Sequence, residues 1–209
     1  MKFVDDPKAL DEGLLVAIFT GDGRTELHVM KSLAKRHNGK RIFLLCSKLP
    51  FHFRSGTGLS AVKVVKTFVK YGILRTLFLV DKEHVGEKQV DIEIDRVLKG
   101  FGVEVESTKL FQQPPENALI TTGSVGCHKL TIYSVVLGKE KCLNEDISKL
   151  VELELKLKVE PEQKIIRKVL HDNRLDIESL VDQAQSRNLT EAFPGLTFIL
   201  NEIEKKNFE

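Results

Sequence analysis

Four uninterrupted apolar runs alternate with segments of helical periodicity, and this alternation constrains the fold more than any other feature. The runs are LLVAIFT (14–20), RIFLLC (41–46), RTLFLV (75–80) and LTIYSVV (130–136). Strands that are apolar along their whole length are typical of parallel sheets, which helices cover on both faces. Two of the helical segments between them stop at Gly72 and Gly100, which are good helix-ending residues. The order predicts an α/β fold with a mostly parallel, Rossmann-like sheet flanked by helices.

The composition changes near Gly138, and helical patterns continue from there to the end of the chain. We therefore expect an α/β domain over residues 1–139 and a small helical region over residues 140–209. Its first helix is predicted to run to Pro161, which then starts the next one. Asp176 is a predicted cap of a third helix, and VEVE (103–106) is a predicted short edge strand.

The bulk properties exclude several classes of protein without selecting one. The chain has 209 residues, 32 basic against 30 acidic, and a net charge of only +2. This balance does not point to a nucleic-acid binder, although a local basic groove would suffice for one. The three widely spaced cysteines form no CxxC pair, which argues against a disulfide framework or a zinc knuckle. With no signal peptide or membrane-length apolar run recognisable, we expect a cytoplasmic protein without a membrane partner.

Two acidic motifs follow strands, where open α/β sheets bind ligands. In GDGRTE, Asp22 lies in a turn beside Gly23, and Glu26 follows one helical turn later. In DKEH, Asp81 and Glu83 point the same way if the chain stays extended. Four converging carboxylates repel one another unless a cation lies among them. Mg²⁺, or Mn²⁺, is the natural occupant, and two ions about 4 Å apart clamp a phosphodiester in such sites.

Each acid also has an ordinary explanation when it is taken singly. Asp22 could cap the following helix, Glu26 could pair with Lys31, and Asp81 with Glu83 could be solvated loop acids. Their joint position at two strand ends of one predicted sheet favours the metal site, although acidic clusters can also be structural.

The pair IFTGDGRTE and LFLVDKEH resembles the two signature motifs of the Toprim family, the catalytic domain of topoisomerases, bacterial-type primases and OLD-type nucleases. By this resemblance Asp22 takes the place of the family's glutamate, and Gly23 that of its following glycine. Glu26 matches the extra acid of the OLD-type branch, and Asp81 and Glu83 match the Asp-x-Asp pair. The resemblance implies Mg²⁺-dependent phosphodiester chemistry on nucleic acid of a nuclease-like kind.

The resemblance covers residues 14–138 and leaves two functions open. Asp22 replaces a glutamate and Glu83 an aspartate, and a shift of one methylene matters to catalytic geometry. Either the two swaps compensate, or the chain is a non-catalytic module that binds nucleic acid or protein through a relaxed acidic site. The ATPase of OLD-type proteins would have to be a separate partner, and a homodimer is a further alternative.

Two other segments supply candidate substrate-binding residues. SKLPFHFRSGTG (47–58) interleaves basic and aromatic residues, and its Arg54 and Gly56 belong to a glycine-containing loop like that of many Toprim members. The alternative is a loop whose two phenylalanines enter the core. In TTGSVGCHKL (121–130), His128 and Lys129 are placed to approach a phosphate, as a downstream lysine does in OLD-type nucleases. The alternative is a plain hairpin or loop.

Overall fold

A computed structural model describes residues 2–4, 14–19, 24–37, 43–46, 58–85, 90–110 and 117–205. The strands are β1 (Lys2–Val4), β2 (Leu14–Phe19), β3 (Phe43–Cys46), β4 (Arg75–Asp81), β5 (Glu104–Leu110), β6 (Ala118–Val125) and β7 (His128–Leu137). The α-helices are α1 (Arg24–Arg36), α2 (Val65–Lys70), α3 (Val90–Gly100), α4 (Leu143–Leu155), α5 (Gln163–Asp172), α6 (Ile177–Gln183), α7 (Ser186–Ala192) and α8 (Pro194–Lys205). Two 3-10 helices span Gly58–Val64 and Lys82–His84.

The seven strands form one mixed sheet in the order β1-β3-β2-β4-β7-β6-β5. All neighbours from β1 to β7 in that order are parallel, and β6 and β5 are added antiparallel at one side. The prediction of a mostly parallel α/β sheet is confirmed. β2 and β4 are adjacent, with Phe19 opposite Leu79, so the chain segments that follow both strands leave the same edge of the sheet.

Alternate residues of each central strand enter two separate cores, one on each face of the sheet. Leu77 and Leu79 pack with α1 and the C-terminal helices, whereas Phe78 and Val80 pack with α2, α3 and the 3-10 helix Gly58–Val64. This period of two explains why the strands are apolar throughout, because each face of the sheet is covered. No described helix is both long enough and apolar enough to cross a bilayer.

The helices after residue 140 are present, but two predicted boundaries are wrong. The first helix ends at Leu155 rather than near Pro161, because Lys156 adopts a left-handed conformation with φ of 58°. Pro161 precedes Glu162, the N-cap of α5, and so lies outside the first turn of that helix. The predicted Asp176 cap is confirmed, since its side chain accepts a hydrogen bond from the Ser179 backbone N–H at 2.7 Å.

The sheet extends further than the sequence predicts on its antiparallel side. The edge strand β5 runs to Leu110 instead of residue 106, and β6 occupies part of the polar 121–130 segment. Of the two alternatives for that segment, the hairpin is the observed one, with β6 pairing β7. Gly123 suits this position because a Cβ there would lie 2.6 Å from the carbonyl oxygen of Glu104.

The C-terminal helices dock on α1 through polar contacts as well as through the shared core. The Ser32 hydroxyl donates to the Glu178 carbonyl at 3.2 Å, and the Arg36 guanidinium donates to the Ala184 carbonyl at 2.5 Å. Near the other end of α1, the Gln163 side-chain amide donates to the Thr25 hydroxyl at 3.0 Å. The first turn of α1, which carries Glu26, therefore lies next to the start of α5.

Candidate functional site

Two buried carboxylates mark the edge of the sheet at which β2 and β4 end. Asp81 is the last residue of β4 and is only 6% exposed. Glu26 lies in the first turn of α1, the helix that follows β2, and is 5% exposed. Ionised carboxyl groups this deeply buried need compensating partners or a cation, so both residues are informative about function. The Asp81 Oδ1 atom accepts a hydrogen bond from the Leu143 backbone N–H at 3.2 Å.

Glu83 and His84 join Asp81 through a short 3-10 helix. The chain does not stay extended after Asp81, which was the condition for Asp81 and Glu83 to point the same way, because Lys82–His84 forms a 3-10 helix. In a 3-10 helix, residues three apart lie above one another, which brings the position of His84 over that of Asp81. Potential ligand atoms of Asp81, Glu83 and His84 all lie within 4.8 Å of one another, and His84 Nε2 is 4.0 Å from Glu83 Oε1. Two oxygen donors and one imidazole therefore face a common point.

The loop between β7 and α4, residues 138–142, holds this cluster in place through a backbone hydrogen bond. Its Lys141 carbonyl accepts a hydrogen bond from the Glu83 backbone N–H at 2.9 Å. The loop is itself held by the first turn of α4. There the Asp146 carboxylate accepts from the Gly138 N–H at 2.8 Å, and the Glu145 carboxylate accepts from the N–H groups of Lys139 and Glu140 at 2.7 and 2.8 Å. These bonds fix the position of the β4 end relative to α4.

Asp146 adds a further acidic group whose protonation is coupled to the site. Burial raises the pKa of Asp146 to about 7, against the opposing effect of its bond from the Gly138 N–H, and the charges of Glu145 and Asp81 raise it further. Burial likewise raises the pKa of the Cys142 thiol, with Asp81 and Glu83 adding to the shift. Both pKa shifts come mainly from burial, and the neighbouring carboxylates add to them in the same direction.

Replacing Asp146 by Asn is expected to change how stability depends on pH. Because the folded-state pKa is raised from 3.8 to about 7, the protonated form favours folding, and that contribution is lost as pH rises from about 4 to 7. Asn stays neutral and still accepts a hydrogen bond from Gly138. The free energy of unfolding of the variant, taken relative to that of wild type, should therefore be higher at pH 8 than at pH 5. Urea unfolding at both pH values tests this, with Asp172→Asn as an exposed control. An identical difference at both pH values would contradict it.

A cavity of about 930 Å³ lies beside the acidic cluster. Its volume is within the range of roughly 300–1,000 Å³ that is usual for small-ligand sites. Three lysines, four carboxylates (Glu140, Glu145, Asp146 and Glu191) and an amide form its polar lining, whereas valine, alanine and proline side chains form an apolar wall. These residues include Lys82, Lys139, Lys149, Asn117, Asp146, Val90, Val136, Ala192 and Pro194. With three cationic and four acidic side chains the lining has no excess of positive charge, so it does not by itself select an anionic ligand.

Gly58 brings the end of the RSGTG loop against the same cluster. Its φ of 60° is in the left-handed region, and a Cβ at this position would lie 3.1 Å from the Cβ atom of His84. The 3-10 helix that begins at Gly58 therefore starts beside His84 and leads back along the sheet.

The structure brings together only some of the residues predicted from the sequence. Asp81 and Glu83 lie in one cluster, and Glu26 lies at the same edge of the sheet. The remaining acid and three of the predicted substrate-binding residues lie outside the described residues, namely Asp22, Gly23, Arg54 and Gly56.

His128 and Lys129 lie at the opposite edge of the sheet. Leu137 is the β7 residue opposite Asp81, and Lys129 precedes it by eight residues. At about 3.3 Å per strand residue this separation is roughly 26 Å. The fold therefore does not bring these two residues to the acidic cluster, and the parallel register of β4 and β7 is the reason.

Sequence reasoning missed two members of this neighbourhood. The sequence pattern does not select His84, because in an extended chain residues three apart point to opposite faces. Asp146 was overlooked, although it follows a strand and begins a helix, the same context that singled out Glu26. An acid in the first helical turn after each parallel strand is the signal that would have found it.

Comparison with known proteins does not assign the chain to a family. No protein-family model, no curated protein and no solved structure matches it. The function therefore has to be argued from the site itself.

Proposed function

We propose that this chain carries out metal-dependent phosphodiester chemistry on nucleic acid, of a nuclease-like kind, with a Toprim-like arrangement of its acidic motifs. The observation that supports this most directly is the cluster of Asp81, Glu83 and His84 at the carboxyl end of the central strand β4. Glu26 follows the adjacent parallel strand and adds a carboxylate at the same edge. Ligands of open α/β sheets bind at this position.

The donor set fits a divalent cation of the Mg²⁺ or Mn²⁺ type. Asp81 and Glu83 offer the hard oxygen ligands that both ions prefer, and His84 offers an imidazole nitrogen, which Mn²⁺ accepts more readily than Mg²⁺. Asp81 is buried and fixed by the Leu143 N–H, whereas Glu83 and His84 are about two-fifths and one-third exposed, so an ion would keep an open side for water and substrate. When bound, such an ion polarises a phosphoryl group and activates water.

The side chains around the cluster have separate roles in this proposal. Asp81, Glu83 and Glu26 compensate the charge of the cation, and the N–H of Leu143 keeps the Asp81 carboxylate oriented. Lys82 lines the cavity next to the cluster, where its ammonium group is placed to attract a phosphate. The neighbouring carboxylates Glu83 and Glu145 would repel an anionic substrate until a cation is present.

A non-catalytic module remains the second candidate, and one contact favours it. The bond from the Leu143 N–H to Asp81 joins β4 to α4, which is a structural role that a buried carboxylate can have without any metal. In that case the same surface would bind nucleic acid or protein, and its acids would serve only to position the 138–142 loop.

Metal titration separates the two candidates. We expect wild type to bind Mg²⁺ and Mn²⁺ at millimolar concentration or tighter, with Mn²⁺ the tighter ion, and Asp81→Asn to weaken both by at least about 100-fold, since even an outer ligand typically contributes 10- to 100-fold. Isothermal titration calorimetry measures this. Asp172→Asn, an exposed acid at the end of α5, is the matched control and should bind as wild type does. Equal binding, or none, in wild type and Asp81→Asn would reject the metal site.

A further inference from the structure

The exposed face of α5 carries a row of cations that the acidic site does not use. Lys164, Arg167 and Lys168 are exposed on this helix beside the exposed His171, and Arg174 lies two residues after the helix end. Their spacings of three and four residues place them on one side, opposite the buried Ile166 and Leu170.

These cations have little internal compensation. Within the described part of the chain, Lys164, Arg167, Lys168 and Arg174 have no hydrogen bond or ion pair. The segment 156–175 contains six Lys or Arg and three Asp or Glu, a net charge of +3, whereas the whole chain carries +2. Residues 27–80 carry a larger excess, with eleven Lys or Arg and no Asp or Glu, so α5 is distinguished by its position next to the acidic site and not by its amount of charge. The nearby Asp176 and Glu178 are already engaged, one as the cap of α6 and the other with His28.

The position of α5 connects this face to the acidic site. Gln163, its first residue, donates to Thr25, the residue before Glu26, so the helix starts at the carboxyl edge of the sheet. Arg167 and His171 line a cavity of about 380 Å³ together with His28 of α1. The ten residues of α5 span about 15 Å at 1.5 Å per residue.

We propose that the basic face of α5 binds the phosphate backbone of the nucleic acid whose phosphodiester reaches the acidic site. The inference rests on the proposed function for the identity of its partner. A nucleic-acid strand has one charge per roughly 3.4 Å, so about four phosphates span the length of this helix. α5 presents no Phe, Tyr or Trp side chain for stacking on bases. The contact is therefore electrostatic and independent of base sequence.

The decisive variant is Lys164→Gln/Arg167→Gln/Lys168→Gln, measured against a matched control on the other face of the sheet. Lys63, Lys66 and Lys70 also form an exposed row with helical spacing. They lie on elements that pack on the other face of the sheet, and the row runs toward the amino edge of the sheet. Lys63→Gln/Lys66→Gln/Lys70→Gln removes the same charge. Binding of a labelled single-stranded oligonucleotide of about 20 nucleotides, and of its duplex, is followed by fluorescence anisotropy between about 50 and 300 mM KCl.

We expect the α5 variant to lose affinity by roughly 100-fold near 100 mM salt. The slope of log K against log salt should become shallower by about 2 to 3, because each of the three lost phosphate contacts contributes about 0.7 to 0.9 to that slope. The control variant should lose less than about threefold in affinity, because only the long-range, salt-screened effect of its lost charges acts on binding. Equal losses in the two variants would overturn the proposal, as would an unchanged slope in the α5 variant. Circular dichroism confirms that both are folded.

The same experiment keeps this inference distinguishable from the proposed function. Binding is measured in EDTA, so it does not depend on a metal. If the α5 variant loses nucleic-acid binding while Asp81→Asn binds metal as wild type does, the basic face is supported and the metal site is rejected. A parallel measurement uses vesicles of phosphatidylserine and phosphatidylcholine. Binding of wild type to these vesicles but not to oligonucleotides would overturn the nucleic-acid partner in favour of a membrane surface.

Discussion

Gly138→Ala is expected to lower the free energy of unfolding by about 3 to 5 kcal/mol, because a left-handed residue and a backbone collision coincide at this position. Gly138 has a φ of 78°, and a Cβ there would lie 2.5 Å from the carbonyl oxygen and 2.6 Å from the nitrogen of Cys142. These are backbone atoms, which cannot rotate away as a flexible side chain does. The 138–142 loop would have to shift, and its bonds to Asp146 and Glu145 would be weakened.

Gly72→Ala is the matched control for this substitution. Gly72 has nearly the same φ, 76°, but a Cβ there would meet nothing within 4 Å. Its replacement should therefore cost only the conformational penalty of about 1 to 2 kcal/mol. Chemical denaturation of both variants separates the two contributions. A loss at Gly138 no larger than that at Gly72 would show that the loop relaxes freely, and that it is not a rigid support for Glu83.

A structural consequence connects this loop to the proposed metal site. The Lys141 carbonyl accepts the Glu83 N–H, and Leu143 donates to Asp81, so both acids are positioned by the segment that Gly138 begins. Gly138 can therefore affect metal affinity without contacting the ion. The apolar strands and the glycine after the last of them are visible in the sequence, but this connection depends on tertiary contacts.

The parallel part of the fold could be predicted because its signal is local. Each of the strands β2, β4 and β7 is an apolar run, and burial on both faces imposes that pattern regardless of neighbours. β6 could not be predicted in the same way. Its Thr121, Thr122, Gly123 and Ser124 read as a polar loop, and only pairing with β7 on one side and β5 on the other makes them a strand.

The candidate site was predictable only in part for a related reason. The order of the elements does not fix the adjacency of β2 and β4, because β3 lies between them in the chain. Their observed pairing is what places Glu26 and Asp81 at one edge. The 3-10 helix after Asp81 has no clear sequence signature, so His84 was not recognised as a potential ligand. His128 and Lys129 were attractive as charged residues near glycines, but their strand begins at the amino edge. Register decided their position, and register depends on pairing.

Asp81→Asn is expected to reduce the single-turnover rate of phosphodiester cleavage by at least about 1,000-fold, equivalent to about 4 kcal/mol of transition-state stabilisation. Asn has nearly the same size as Asp and keeps an oxygen that can accept from the Leu143 N–H. The fold should therefore persist while the charge that holds the cation is removed. Lys129→Ala is the control, because Lys129 lies at the opposite edge of the sheet and should leave the rate unchanged.

The double variant Asp81→Asn/Glu83→Gln adds a sharper test. If both carboxylates hold the same ion, removing the second should cost little once the first is gone, because groups that act as a unit are strongly non-additive. Independent roles would instead give multiplied losses. Glu83 is about two-fifths exposed, so its substitution should hardly alter stability, and a rate effect cannot be attributed to unfolding. Unchanged rates in Asp81→Asn would show that the carboxylate has only its structural bond to Leu143, which would favour the non-catalytic module.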